Sequence, residues 1–407
     1  MNKFFVLTSL LSCAFILSAC EKPEAALTDD EVSPAQDQSA PQNTGTPIQI
    51  HTGRAEQTTV KTPPPHQAKS ESKPEITIAQ AVPPATEPAH TTPFPIKTTP
   101  FKVRRCINMG NALEAPNEGD WGYSIRAQDL QAVAQAGFDT IRLPVRWDTH
   151  TGHRPPYTID PAFMARVKTV VAQAQSFGLG VIIDVHHYEN LMSRTNREQP
   201  RFLAIWDQIA RTFSNAPDNV YFEVLNEPTR AISHARLNAL YSEAIPVIRA
   251  SNPRRKIILG GNSWNSIETL TKVRWPLYLG KRDANLVATF HDYSPHKFTH
   301  QGAEWVDPKM PLGRRWGTQA DVADLKLIYK LASDFKTKTG LPVFVGEFGV
   351  IDKVPGLERM AWTKTRRKAM EANGMSWCVW DFSGAFKIYD TNTNSWYPGA
   401  KDALFGR

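Results

Sequence analysis

The chain has 407 residues, with 47 lysines and arginines against 40 acids, 31 prolines, 11 tryptophans and only four cysteines. So few cysteines exclude a disulfide-framework protein, and past residue 20 no apolar run approaches the ~20 residues that each span of a polytopic membrane protein needs. The net charge of +7 includes no block of five like charges; its densest basic stretches, Arg254-Arg255-Lys256 and Arg366-Arg367-Lys368, read as solvated helix ends and faces, not as a nucleic-acid surface.

In chain order, Met1-Asn2-Lys3 is a short basic region and Phe4 to Leu17 an apolar one, the pattern of an export signal. Leu17-Ser18-Ala19-Cys20 resembles the bacterial lipobox, which implies a signal over 1–19, acylation at Cys20 and a chain anchored by lipid to a bacterial membrane. Residues 20–100 hold fourteen of the prolines and, as their only aromatic residue, Phe94. Such a stretch buries too little apolar surface to offset its ordering entropy, so it is expected to be a disordered tether. That leaves 101–407 as one large folded domain carrying a net charge of +10.

From residue 103 onward short β-rich runs alternate with helical patterns. The expected strands are 103–109, 139–144, 180–185, 219–225, 256–260, 286–290, 342–346 and 375–380. Helical periodicity fills 127–136, 161–177, 200–213, 236–250, 320–335 and 359–372. Continuous apolar runs such as Val181-Ile182-Ile183 and Val343-Phe344-Val345 suit strands covered on both faces. Eight strands with interleaved helices predict an α/β fold, a (β/α)₈ TIM barrel. An open doubly wound sheet is the alternative, although no Gly-x-Gly-x-x-Gly follows the first strand.

Polar residues gather at the C-terminal ends of these strands: Arg142, His186, His187, Asn226, Glu227, His291, Tyr293, Glu347 and Trp380. Barrel active sites are built at that rim. Glu227 ends the fourth strand and Glu347 the seventh, so the two carboxylates face each other across the mouth, as glycoside cleavage requires. Asp184, His186 and His187 lack a further ligand at zinc spacing, and no Gly-x-Ser-x-Gly elbow is present. Two glutamates supply acid and nucleophile, so no metal and no organic cofactor is expected.

Asn226-Glu227-Pro228 and Gly346-Glu347-Phe348-Gly349 resemble glycoside hydrolase family 5, the cellulase family of retaining (β/α)₈ enzymes. The likeness continues through Ile107 to Leu113, Glu118 to Gly122, Ile141 to Trp147, Asp184 to His187, His291 to Pro295 and Trp377 to Phe382. It implies Glu227 as acid/base and Glu347 as nucleophile, with His291 beside the acid/base and Tyr293 bonded to the nucleophile. It further implies that Asn226 binds the sugar 2-hydroxyl, that His186 contacts substrate and that Trp380 lies under the reacting sugar. Arg142 is expected to hold the Glu347 pKa down.

Substrate contacts are also expected from Asn111, His187, Trp147 and Trp264, while Trp305, like Trp316 and Trp396, divides evenly between sugar platform and core. The segment 295–317 is expected to wall one side of the cleft. Cys106 and Cys378 fall on neighbouring strands, where two buried free thiols are the expectation. The function implied is a monomeric, lipid-anchored endo-β-1,4-glucanase acting on a β-linked polysaccharide. Mannan, xyloglucan or glucuronoxylan are the other substrates, and a non-catalytic carbohydrate-binding lipoprotein is the competing class.

Overall fold

The computed structural model describes residues 98–278 and 280–406, so the expected signal, the lipid site at Cys20 and nearly all of the expected tether lie outside the described residues. Eight strands form the centre: β1 (Arg105–Asn108), β2 (Thr140–Leu143), β3 (Gly180–Asp184), β4 (Val220–Glu223), β5 (Ile257–Gly260), β6 (Leu286–His291), β7 (Val343–Phe348) and β8 (Ser376–Val379). They close into a barrel in which each strand pairs with its chain neighbours and β8 returns to β1. Every pairing is parallel.

The helices that follow the strands are α1 (Ala127–Ala136), α2 (Pro161–Ser176), α3 (Thr195–Thr212), α4 (His234–Ser251), α5 (Ile267–Leu270), α6 (Gln319–Thr339), α7 (Gly356–Ala372) and α8 (Ala400–Phe405). Their ends follow local chemistry. Asp160 caps α2 by accepting from the amides of Ala162 and Phe163, with Pro161 at the first helical position. Thr318 and Asp321 form a capping box at the start of α6. The expected alternation and all six long helices are present. Two short hairpins, Leu277–Tyr278 with Lys281–Arg282 and Tyr389–Asp390 with Ser395–Trp396, had no signal in the pattern.

Two apolar layers hold the barrel. Outward strand residues such as Ile141, Val181, Ile183 and Val345 pack under the helices. Inside, Cys106, Ile182, Tyr221, Ile258, Val287, Phe344 and Cys378 form a closed floor. Phe101 covers it from below, edge-on to Tyr221 at 5.1 Å and to Phe344 at 5.8 Å.

Two expectations are corrected here. Cys106 and Cys378 stand opposite each other in register on β1 and β8 and form a disulfide. Both point into the barrel at one level, so the closing seam brings the sulfurs together. The basic stretches are solvated only at Arg254 and Lys368: Arg255, Lys256, Arg366 and Arg367 are buried. Arg255 donates to the carbonyls of Phe213, Ala216 and Val220, around the end of α3 and the turn into β4. Arg366 pairs with Asp292 at 3.1 Å.

Candidate active site

Strand alternation lifts a polar layer directly above the floor. Two residues beyond Cys106, Ile182 and Tyr221 come Asn108, Asp184 and Glu223, all fully buried. Arg142, also fully buried, lies among them. Its Nε donates to Glu223 at 2.7 Å, its Nη1 to Asn108 at 2.9 Å and to Glu347 at 2.7 Å, and its Nη2 to Asn226 at 2.7 Å. Asp184 lies 2.8 Å from the same Nη2. Burial disfavours the guanidinium charge, but Glu223, Asp184 and Glu347 outweigh it and hold its pKa well above the ordinary value. One cation thus holds the bases of three carboxylates in fixed relation.

Glu347 reaches this layer through a bulge. Phe344 points inward and Val345 outward, so plain alternation would turn residue 347 away from the axis. The register of β7 slips against both β6 and β8 near Gly346, and Glu347 turns inward. Gly346 makes this possible: a Cβ there would stand 2.8 Å from Thr289 Oγ1 and 2.9 Å from His291 Nε2. Tyr293 donates its hydroxyl to Glu347 Oε2 at 2.7 Å, and Arg142 holds Oε1. The expectation that Arg142 lowers this pKa is corrected in its net sign. Burial dominates and pushes Glu347 up to about 7, with His291, Arg142 and Tyr293 opposing it and Glu227 adding to it.

Glu227 sits on the opposite wall in a left-handed conformation, φ 41°. Its Oε1 accepts from Nδ1 of His291 at 2.8 Å. Desolvation pushes Glu227 up to about 7, against the pull of Arg142 and with Glu223 and Glu189 adding to it. Carboxylate oxygens of Glu227 and Glu347 and a ring nitrogen of His291 all lie within 4.8 Å of one another. Three such groups resemble a metal site, but the imidazole has no lone pair to give. Nδ1 carries its proton toward Glu227, and Nε2 accepts from Asn265 at 3.3 Å.

His186 is neutral, its pKa driven well below the ordinary value by burial and then by Arg142, His291 and Arg146. Its Nδ1 donates to Asp184 at 2.8 Å, and its Nε2 accepts from the Asn226 amide at 3.1 Å. Asn226 is therefore oriented at both ends, oxygen to Arg142 and nitrogen to His186. Trp380 lies parallel to His186 with ring centroids 5.9 Å apart, and His187 stands edge-on to Trp121 at 5.8 Å.

The outer aromatic residues divide. Trp264 is 49% exposed and bonds through its amide to the carbonyl of Pro228, next to Glu227. Trp305 is 53% exposed and lies at a tilt to Phe386, with ring centroids 6.3 Å apart, and Phe386 itself touches Tyr293. Segment 295–317 thus lines the rim beside Glu347. Trp147 is a correction: it is fully buried, edge-on to Phe163, with Nε1 donating to the Asp184 carbonyl at 2.8 Å. A single 3₁₀ turn, Asp148–His150, folds the chain back just after it, so the indole goes under the rim instead of onto it. Trp396 packs on Phe138, Phe382 and Tyr389, and Trp316 against the main core. Asn111 is half-buried, with its amide donating to Asp381 at 2.5 Å and to the Ser383 carbonyl at 3.1 Å.

Sequence reasoning passed over Glu223, Asn265, Glu114 and Asp381. Glu223 is the inward residue two positions beyond Tyr221, a parity signal that was readable. Asn265 follows β5 in a run without any strand-end motif. Glu114 is buried, accepts the amides of Asn111 and Ala112, and is pushed up to about 8 by that burial.

Comparison with known proteins agrees with this geometry. The family model described as Cellulase (glycosyl hydrolase family 5) matches residues 100–386. Endoglucanase H of Acetivibrio thermocellus is 34% identical over 332 residues, covering 80% of this chain and 35% of that protein. Cellulase/esterase CelE of the same organism is 28% identical, and this chain spans 38% of its length. The chain therefore spans little more than a third of these two curated relatives. Among solved structures, Thermotoga maritima Cel5A in complex with mannotriose is 38% identical with a TM-score of 0.72, covering 74% of this chain and 97% of that one. The cellulose synthase subunit Z of Clostridioides difficile is 33% identical with a TM-score of 0.71, covering 75% of this chain and all of the other. With the matching family model spanning most of the chain and both carboxylates at the mouth of a closed barrel, the chain belongs to glycosyl hydrolase family 5.

Proposed function

We propose that the chain is a retaining endo-β-1,4-glucanase, with Glu347 as nucleophile and Glu227 as acid/base. The observation that carries this reading is two facing carboxyls with oxygens within 4.8 Å and unequal donors. An inverting enzyme needs ~6.5–9.5 Å between its carboxyl groups to seat a water. Burial pushes both acids upward, so the pair retains a proton near neutrality, and the donors decide who holds it. Among the described residues Glu347 receives Arg142 and Tyr293, whereas Glu227 receives His291 alone. Glu347 is therefore the anion and Glu227 the acid.

Glu347 attacks the anomeric carbon while Glu227 protonates the leaving oxygen. The ester that forms removes the Glu347 charge, which lowers the proton affinity of Glu227 and turns it into the base that activates water. Asn226, locked between Arg142 and His186, presents its remaining amide hydrogen to the 2-hydroxyl, and Trp380 and Trp264 offer faces for pyranose rings. The names of the relatives, endoglucanase and cellulase, support β-glucan as the substrate. The mannotriose complex of the Thermotoga maritima relative favours mannan as a second reading.

Purified protein assayed on a panel of β-glucans and mannan tests this. Sugar release with the β-anomer formed first is expected, along with a loss of kcat in Glu347→Ala of at least ~10³-fold. An α-anomer first, full activity in Glu347→Ala, or no release from any glycan would refute it. Both limbs of the kcat/KM profile should lie near neutrality, the acid limb from ionising Glu347 and the basic limb from losing the Glu227 proton.

We also propose that 101–407 is the catalytic unit and that Cys20 is acylated, anchoring the chain to a membrane through 20–100. The Leu17-Ser18-Ala19-Cys20 tetrapeptide supports this. Radiolabelled palmitate should enter the full chain and not Cys20→Ser, which should move to the soluble fraction.

A further inference from the structure

The environment of His291 contains a group that the chemistry above does not use. Asn265 has no exposed surface and sits at φ 53°, the last of three consecutive left-handed residues, Ser263-Trp264-Asn265. Left-handed backbone is unusual for any non-glycine residue, and three in a row at a barrel mouth are costly unless the turn places something. The turn is fixed at both ends. The Trp264 amide donates to the Pro228 carbonyl beside Glu227, and the Asn265 side chain fills the space above Gly260, where a Cβ would lie 2.2 Å from its Oδ1. From there Nδ2 reaches His291 Nε2 at 3.3 Å, while Oδ1 is buried with no partner among the described residues.

An amide nitrogen can only donate, so the nitrogen it meets on His291 must be the one without a proton. That leaves the single ring hydrogen on Nδ1, which points at Glu227 Oε1 at 2.8 Å. The opposite tautomer would place two hydrogens between Asn265 and the ring and present a lone pair to Glu227. A lone pair there accepts from the protonated acid and favours it; a hydrogen there favours the carboxylate. The two tautomers therefore pull the acid/base in opposite directions.

We propose that Asn265 is a positioning residue that sets the tautomer of His291, so that the ring always donates to Glu227 and stabilises its ionised form. This rests on Glu227 being the acid/base. Glu227 faces Arg142 from β2, Glu189 from the five-residue helix Glu189–Ser193 after β3, Glu223 from β4, Tyr293 beyond β6 and Glu347 from β7. His291 faces Glu347, Arg142, Glu223 and Asp184. None of these touches Nε2, so among the described residues Asn265 acts on the tautomer through that nitrogen. Burial also keeps His291 below the ordinary imidazole range, which leaves the ring neutral and the choice of tautomer meaningful.

Two substitutions that tolerate a left-handed backbone separate this role from packing. Asn265→Asp keeps shape and replaces the donor by an acceptor; Asn265→Gly removes the side chain. Nitrogen-15 spectra of histidine-labelled protein, with His291 assigned by its loss in His291→Asn, report the protonation of each ring nitrogen without any substrate. Wild type should show Nε2 bare and Nδ1 protonated, and Asn265→Asp should show Nε2 protonated. In Asn265→Gly the basic limb of kcat/KM should move upward by about half a pH unit or more, because the ring can then accept from neutral Glu227. A bare Nε2 in Asn265→Asp, or a fall in kcat with an unmoved pH profile in Asn265→Gly, would overturn the proposal. The spectra stand even if no glycan is cleaved, so failure of the hydrolase reading is seen separately.

Discussion

The floor and the mouth of this barrel are built from the same eight strands by opposite rules. On the floor side, the turns leading into strands take left-handed conformations on glycine, as at Gly137 after α1 and Gly340 after α6. There the chain needs only a reversal, and glycine makes it without strain. At the mouth the same backbone region is occupied by Asn111, His187, Glu227, Ser263, Trp264 and Asn265. At Asn111, Glu227 and Asn265 the side chain is used, so the strain is retained and opposed by hydrogen bonds. Inside the barrel the contrast repeats: apolar residues and one disulfide below, one arginine and three carboxylates above. The floor supplies stability, and the mouth consumes part of it to hold charges in place.

The largest effect should come from removing the cation that holds the mouth together. Arg142→Leu leaves Glu223, Asp184 and Glu347 buried without their counter-ion, at a cost of about 3–5 kcal/mol. Urea unfolding followed by tryptophan fluorescence measures it; a loss under 1 kcal/mol would mean the carboxylates take up protons and need no cation. The floor gives the complementary experiment. Cys378→Ser should lower stability by about 2–4 kcal/mol while leaving kcat and KM at 25 °C unchanged, since the two sulfurs lie in the apolar floor, a layer below the residues that hold Glu227 and Glu347. A change in kcat would show that the two regions are not separable.

The sequence carried this division only partly. Strand and helix alternation, the rim position of Glu227 and Glu347 and the neighbours of each were legible, because they rest on local period and on short motifs. What depends on three-dimensional register was not. The bulge at Gly346 that turns Glu347 inward leaves no mark in the strand alternation, although the facing of the two glutamates was expected. Arg255 and Arg366 read as solvent charge because a basic run carries no mark of the carbonyls it will meet. Trp147 reads as a loop tryptophan since the turn that tucks it under the rim is only three residues long. Asn265 was invisible for a related reason: its role comes from a backbone conformation, and the one hint was Gly260-Gly261 just before it, a sign of close approach.

A smaller, pH-dependent effect sharpens the comparison from the mouth side. Burial raises Glu114 to about 8, with Asp184 adding to it, and Asp184 itself to about 6. A carboxyl whose pKa is raised on folding binds a proton more tightly in the native state. Its contribution is fully present below the unfolded value near ~4 and is lost as pH rises through the folded value. Buried neutral histidines such as His186 and His291 act in the opposite sense below the ordinary imidazole value, so thermal unfolding should show stability declining between about pH 6.5 and pH 8. In Glu114→Gln the decline above pH 6 should flatten. A stability that rises across that window would contradict the burial of these groups.

The smallest effects test where the rim ends, using two tryptophans that sequence reasoning put together. Trp264 is half exposed beside Pro228 and Trp147 is buried beneath the rim. Trp264→Ala should raise KM several-fold, about 3–10-fold, with kcat within about twofold, because a stacking face contributes equally to ground and transition states. Trp147→Phe should leave KM unchanged and lower stability by about 1 kcal/mol, the ordinary cost of the lost bond to the Asp184 carbonyl. The two measurements are orthogonal, so a KM effect at Trp147 or a stability effect alone at Trp264 would reverse the assignment. If both hold, the boundary between binding surface and scaffold falls at the short turn Asp148–His150, and not at the end of the strand.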